Sequence, residues 1–198
     1  MDEQEFWSIV DYTHLQSAGD VETQIGLLRE RLDPLSSDDL LRFDAQLTRA
    51  SQDVYDWQMW GAAYVLLGGC SDDNFTDFRT WLIFRGRERY EAVRRDPDAL
   101  ADIAVKDDEE IGLAEELGAV ADDVYERKTG RELFEDAPQR PETLGELTGE
   151  PFDDDEHALA ARYPRLTARV AASQDVDHVD AEPQVGVTRR SWRRLFGR

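Results

Sequence analysis

The chain has 198 residues, with 44 acidic and 23 basic side chains and a formal charge of −21, long enough for one domain with a sizeable core and a tail. That charge argues against nucleic acid as the main body's partner, because phosphate binding needs a positive surface. An acidic surface serves solubility or meets a basic protein by complementarity. Cys70 is the lone cysteine, which excludes an intrachain disulfide and a cysteine-rich zinc site.

The amino-terminal DEQEFW has no basic n-region and no apolar h-region, so no secretion signal is expected. No apolar run reaches the roughly 18 residues of a membrane span. A cytoplasmic protein is the default expectation. Residues 3–16 read as a helix on the spacing of Phe6, Trp7, Val10 and His14. His14 sits on or beside the apolar face, either as a satisfied core histidine or as a ligand or proton carrier. Val21, Ile25, Leu28, Leu32 and Leu35 mark a second helix ended near Pro34. Ser36 and Asp39 open a third. It is read as running on through Trp57, Trp60 and Tyr64 to the stop at Gly68-Gly69, with a break near Ser51-Gln52-Asp53 allowed but not required.

The stretch from Gly68 to Leu100, GGCSDDNFTDFRTWLIFRGRERYEAVRRDPDAL, is what the rest of the chain is organised around. Ser71 is a good N-cap, and Asp72 and Asp73 favour the positive end of the helix dipole. At 100° per residue Phe75, Phe78, Leu82, Gly86, Tyr90 and Val93 fall within about 60° of one line, with Trp81 and Phe84 nearly opposite. A helix apolar on two faces lies between neighbours, so this is read as one central helix, with Gly86 at a close helix–helix contact. Arg79 and Arg89 fall inside the first stripe. Arg79 therefore predicts either a buried ion pair with a core-facing carboxylate or an arginine that grips a ligand's carboxylate or phosphate. Trp57, Trp60, Tyr64 and Trp81 are either core or a cleft wall for a flat ligand with Arg79 at its base. The candidate ligand pocket is Arg79, Trp60, Tyr64, Trp81 and His14.

Downstream, Asp96-Pro97 starts a short helix through Ile103. Lys106 to Glu110 read as a charged cap or linker, and Ile111 to Val124 carry a helix that stops at Thr129-Gly130. Residues 136–151, rich in proline and glycine, read as a loop over the surface. A last helix follows Asp153 to Glu156, kinked or restarted at Pro164. The fold class is all-α: a compact multi-helix domain with an extended, partly disordered C-terminal tail. Residues 1–134 form the helical core, 135–172 a loop and helix packing on it, and 173–198 a flexible linker and a basic arm. That arm carries Arg189, Arg190, Arg193 and Arg194 with Trp192 and Phe196. It is expected to dock on the protein's own acidic body, with an anionic membrane and nucleic acid as competing surfaces.

These residues match a family. EFWSIVD, GGCSDDNFTDFRTWLIFRGRERYEAVRRDPDALAD, ADDVYERKTGREL and PFDDDEHALAARYPRL resemble the bacterial domain-of-unknown-function family numbered 4240, over roughly residues 3–169. The GG-x-SDD-x-F-x-DFR-x-WLI pattern is the most specific part. The resemblance implies a small soluble protein of bacterial type and assigns no activity, cofactor or catalytic residue.

No P-loop, G-x-G-x-x-G, G-x-S-x-G or H-E-x-x-H is present. Asp72, Asp73 and Asp77 diverge on the wheel and read as helix capping; Asp153 to Glu156 beside His157 read as a solvated helix start. No catalytic residue, metal site or cofactor is expected. Two functions compete. The first is a non-enzymatic acidic module binding a protein partner, immunity-like or regulatory. The second is a small-molecule or anion-binding protein, or an enzyme, with an arginine- and aromatic-lined pocket between helices.

Overall fold

A computed structural model describes residues 1–105, 109–137 and 145–177. Among these residues the secondary structure is helical, with one isolated bridge between Asp56 and Thr148. The basic arm with Arg189, Arg190, Trp192, Arg193, Arg194 and Phe196 lies outside the described residues.

Local chemistry sets the helix starts. In α1 (Glu3–Gln16) the Asp2 carboxylate accepts the Glu5 N–H while Glu5 accepts the Asp2 N–H, a reciprocal capping box. Asp20 caps α2 (Val21–Leu32), and Ser36 caps α3 (Ser37–Gln52). The long third helix is not continuous. Asp53 closes α3, and Asp56, in an extended conformation, caps α4 (Trp57–Leu67) through the Met59 N–H. The break is held from outside, because the Trp57 N–H donates to the Thr148 carbonyl. Gly68, at φ 65°, then stops α4.

The central helix is also two helices. α5 (Asp72–Phe84) ends at Arg85, and α6 (Arg87–Arg95) begins after Gly86, whose φ is 95°. This backbone conformation favours glycine, so Gly86 turns the chain rather than lying in a helix interior. The close approach expected there exists, but to a side chain. A Cβ on Gly86 would sit 3.1 Å from Asp11 Oδ1. The same Asp11 oxygen accepts the Arg87 N–H at 2.7 Å, capping α6 from α1. The corner also changes the register of everything after it. Tyr90 and Val93 are buried from α6, while Arg89 leaves the stripe of Phe75 and is exposed.

A 3-10 turn (Pro97–Asp102) follows, then α7 (Glu109–Gly112), α8 (Ala114–Thr129), α9 (Leu133–Asp136), α10 (Glu156–Arg162) and α11 (Pro164–Asp177). α5 is the hub, packing on α1, α3, α4, α6, α7 and α8. Phe75, Phe78, Trp81, Leu82, Ile83 and Phe84 are all buried on it, each such side chain contributing about 1.5–3 kcal/mol. An aromatic file runs along its side. Trp57 stacks on Trp60, Trp60 on Phe75 at 5.0 Å, Phe75 on Phe78, and Phe78 tilts onto Trp81.

α11 packs on α4 and the 3-10 turn. The Asp98 carboxylate takes the Arg165 and Leu166 N–H groups, Arg165 pairs with Asp102, and Arg169 donates to the carbonyls of Leu100, Ala101 and Ile103. α11 reaches Asp177, so residues 173–177, read as the start of a flexible linker, are helical.

Candidate functional site

The five residues proposed from the sequence do not line one pocket. Arg79 is 1% exposed, as its place in the stripe predicts, but no carboxylate among the described residues meets it. Its Nη1 donates to the Ser51 hydroxyl (2.8 Å) and carbonyl, Nη2 to Thr76 Oγ1, and Nε to the Phe75 carbonyl. The guanidinium lies over the rings of Tyr55 and Phe75 at 4.9 and 5.0 Å. Every nitrogen has an acceptor, and the group works as a polar core bolt. This corrects the expected ion pair: carbonyl and hydroxyl oxygens take the place of the carboxylate.

Trp60 is half-buried in the aromatic file and gives its Nε1–H to the Cys70 carbonyl. Tyr64 stands apart beside Phe152, 5.3 Å between rings. Trp81 is fully buried at the other end of the file. His14 lies at the end of α1, with Nε2 2.9 Å from Arg89 Nη1.

Trp81 and His14 flank a cluster that the hydrophobic pattern did not reveal. Arg85 closes α5, and its Nη1 meets Glu110 Oε1 at 2.7 Å with side chains 5% and 7% exposed. Trp81 Nε1 donates to the same oxygen, and the Arg85 guanidinium lies 5.1 Å over the Trp81 ring. Glu110 was hidden in a charged run read as a linker, and Arg85 in a basic run. The available signal was an arginine directly before a mid-run glycine, where a helix C-terminus favours a cation.

A cavity of about 350 Å³ opens between the end of α1, the α5–α6 corner and residues 103–104. Among the described residues its polar side chains are those of His14, Arg85, Arg89 and Glu110, and Leu15, Ala18, Ile103 and Ala104 form the apolar part. Arg85 Nη1 also donates to the Gly19 carbonyl. Its Nε and Nη2 are buried with no acceptor among the described residues.

Burial lowers the His14 pKa to about 4, with Arg85 and Arg89 acting in the same direction and Asp11 and Glu110 opposing. The ring is therefore neutral at pH 7. A guanidinium can only donate, so Nε2 is the acceptor from Arg89 and the proton sits on Nδ1. That Nδ1 is also buried without a partner among the described residues. Burial likewise pushes the Arg85 pKa down, with Glu110 opposing.

Elsewhere the chemistry is quiet. Burial raises the Cys70 pKa to about 12, helped by Asp72, which leaves an unreactive thiol. Asp155 caps α10 by accepting the His157 and Ala158 N–H groups. Among the described residues no group of three or more His, Cys, Asp or Glu could hold a metal ion. Nor is any helix among them long and apolar enough to cross a membrane.

The family model described as "Protein of unknown function (DUF4240)" matches residues 1–127. The span holds His14, Arg85, Arg89 and Glu110 but not PFDDDEHALAARYPRL, so the matched stretch is shorter than the roughly 3–169 of the resemblance. No curated protein and no solved structure matches the chain. With its family model covering well over half of its length, the chain belongs to the DUF4240 family of proteins of unknown function.

Proposed function

We propose that the chain is a non-enzymatic binding protein whose cavity at the end of α1 receives an anionic group. One observation carries the reading. Arg85 is held by Glu110 and Gly19 through Nη1 alone, and its Nε–Nη2 edge meets no acceptor among the described residues. That edge is the fork with which arginine grips carboxylate or phosphate in two parallel bonds. Buried polar groups are almost always paired, and here two guanidinium donors and the His14 Nδ1–H share one neighbourhood. Arg89 adds a second guanidinium at the exposed side.

The test is the melting temperature of the full chain against small anions at constant ionic strength. A ligand that binds only the folded state raises Tm in a saturable way, and Arg89→Gln should weaken the effect. If no anion stabilises beyond chloride, the reading fails.

A second reading is the acidic helical module that binds a basic protein partner. The charge of −21 supports it, as does Leu15, 73% exposed at the rim of the cavity. Salt separates the two. Association of opposed surfaces weakens steeply as the Debye length falls to about 3 Å at 1 M, whereas uptake by the buried Arg85 fork changes far less.

A further inference from the structure

We infer that the cavity takes a monocarboxylate with a short aliphatic body, in preference to phosphate or sulfate. The inference rests on the anion-binding reading above and assigns its ligand class.

Charge comes first. Among the described lining residues the charged side chains are Arg85 and Arg89 against Glu110, a surplus of one positive charge. His14 adds none, because burial and the two arginines keep it neutral. Asp11, beside Gly86, is engaged with the Arg87 N–H. A single negative charge balances this set. A phosphate dianion would bring its second charge against Glu110, which lies 2.7 Å from the Arg85 nitrogen.

The backbone acts in the same sense. Phosphate sites draw on helix N-termini and their free N–H groups. Here α1 and α5 both finish at the cavity, at Gln16 and Phe84, and present the negative ends of their dipoles, while α6, which begins at the same corner, already gives its Arg87 N–H to Asp11. Arg85 already answers the Gly19 carbonyl and Arg89 the Arg85 carbonyl. Such a site supports one negative charge and opposes a second.

Shape and polarity supply the rest. The Nε–Nη2 edge of Arg85 is planar and matches the two oxygens of a carboxylate. In the same cavity the side chains of Leu15, Ala18, Ile103 and Ala104 offer carbon. An aliphatic chain of a few carbons buries against them, each CH₂ contributing about 0.8 kcal/mol, whereas a tetrahedral oxyanion would turn unsatisfied oxygens toward the same surface.

The experiment is calorimetric titration of the full chain with sodium valerate, inorganic phosphate and sulfate at constant ionic strength. Valerate should saturate one site and bind more tightly than either oxyanion. Arg85→Lys keeps the charge and removes the fork, so valerate should weaken roughly tenfold or more. Arg89→Gln and Leu15→Glu change exposed side chains, and each should also weaken valerate, which keeps the inference testable if Arg85→Lys fails to fold. Phosphate or sulfate binding as tightly as valerate overturns the monocarboxylate while leaving the anion site standing. Valerate binding unchanged in Arg89→Gln and Leu15→Glu also overturns it, by placing the ligand elsewhere. Absence of binding by all three probes overturns both readings.

Discussion

Arg85 and Trp81, one turn apart on α5, converge on a single oxygen of Glu110, at 2.7 and 3.3 Å. With the pair almost fully buried, removing one partner strands a charge in a medium that cannot solvate it. Glu110→Ala should therefore lose about 3–5 kcal/mol. Joint replacement, Arg85→Met with Glu110→Leu, should recover much of that loss, because well-packed apolar groups substitute for buried pairs at little cost. Urea unfolding of the three variants checks this, and additive losses in the double variant would refute the pairing.

Arg79 should also be needed for stability, for a different reason. Its nitrogens hold the Ser51 end of α3 to α5, and its guanidinium packs against the rings of Tyr55 and Phe75. Arg79→Ala removes that volume and should cost about 2–5 kcal/mol, in the range of large core truncations. Arg79→Lys keeps charge and stem but cannot span acceptors on three residues, and should cost about 1–3 kcal/mol. Both are read from denaturation midpoints; a wild-type midpoint for Arg79→Ala would show that the site tolerates the void.

Gly61 on α4 is crowded by Phe152 and by Tyr163, the residue between α10 and α11. A Cβ there would lie 2.5 Å from the Tyr163 hydroxyl and 3.1 Å from the Phe152 ring. The hydroxyl has no freedom to retreat, because it donates to the Gln58 carbonyl at 2.7 Å. Gly61→Ala should destabilise by about 1–3 kcal/mol through overpacking. In a Tyr163→Phe background, with the clashing oxygen gone, the same substitution should cost less. A double-mutant cycle measures the coupling, and additive effects would remove Tyr163 as the cause.

His14 should leave a signature in pH-dependent stability. Its folded pKa, about 4, lies below the ordinary 6.5 because of burial, Arg85 and Arg89, against Asp11 and Glu110. Between these values the unfolded chain binds more protons than the folded one. The stability linked to His14 is thus complete above pH 6.5 and declines as pH falls toward 4. The wild type should lose more stability than His14→Gln between pH 7 and 4.5, since the carboxylates titrate in both. Parallel curves would mean that the ring titrates normally when folded.

The two faces of α5 were legible because burial writes itself into spacing: Phe75, Phe78 and Leu82 on one side, Trp81 and Phe84 on the other, all buried. The helix starts at Ser36, Ser71 and Asp155 were legible because capping is local chemistry. The corner at Gly86 was not. A glycine in a periodic run looks like a groove contact, and nothing local shows that φ is 95° or that Asp11, far along the chain, caps the next helix. The α3–α4 break depends in the same way on Thr148. The site failed for a related reason. Glu110 stands in an acidic run, and only the tertiary meeting of Trp81, Arg85 and α7 makes it a buried carboxylate. Arg79, conspicuous in sequence, is satisfied by oxygens that leave no charge pattern.

The close fit at Gly61 bears on where this protein can be cut. The family match stops at residue 127, yet Leu159, Tyr163 and Leu166 belong to the same buried core as Phe75 and Leu100. A chain trimmed to the matched span would lay bare the flank of α4 that Phe152 and Tyr163 cover, and leave Asp98 without the N–H groups it caps. Uncovered aromatic surface of this kind draws copies together. The stretch that kinship identifies is thus shorter than the packed unit, whose buried core runs on to Leu166.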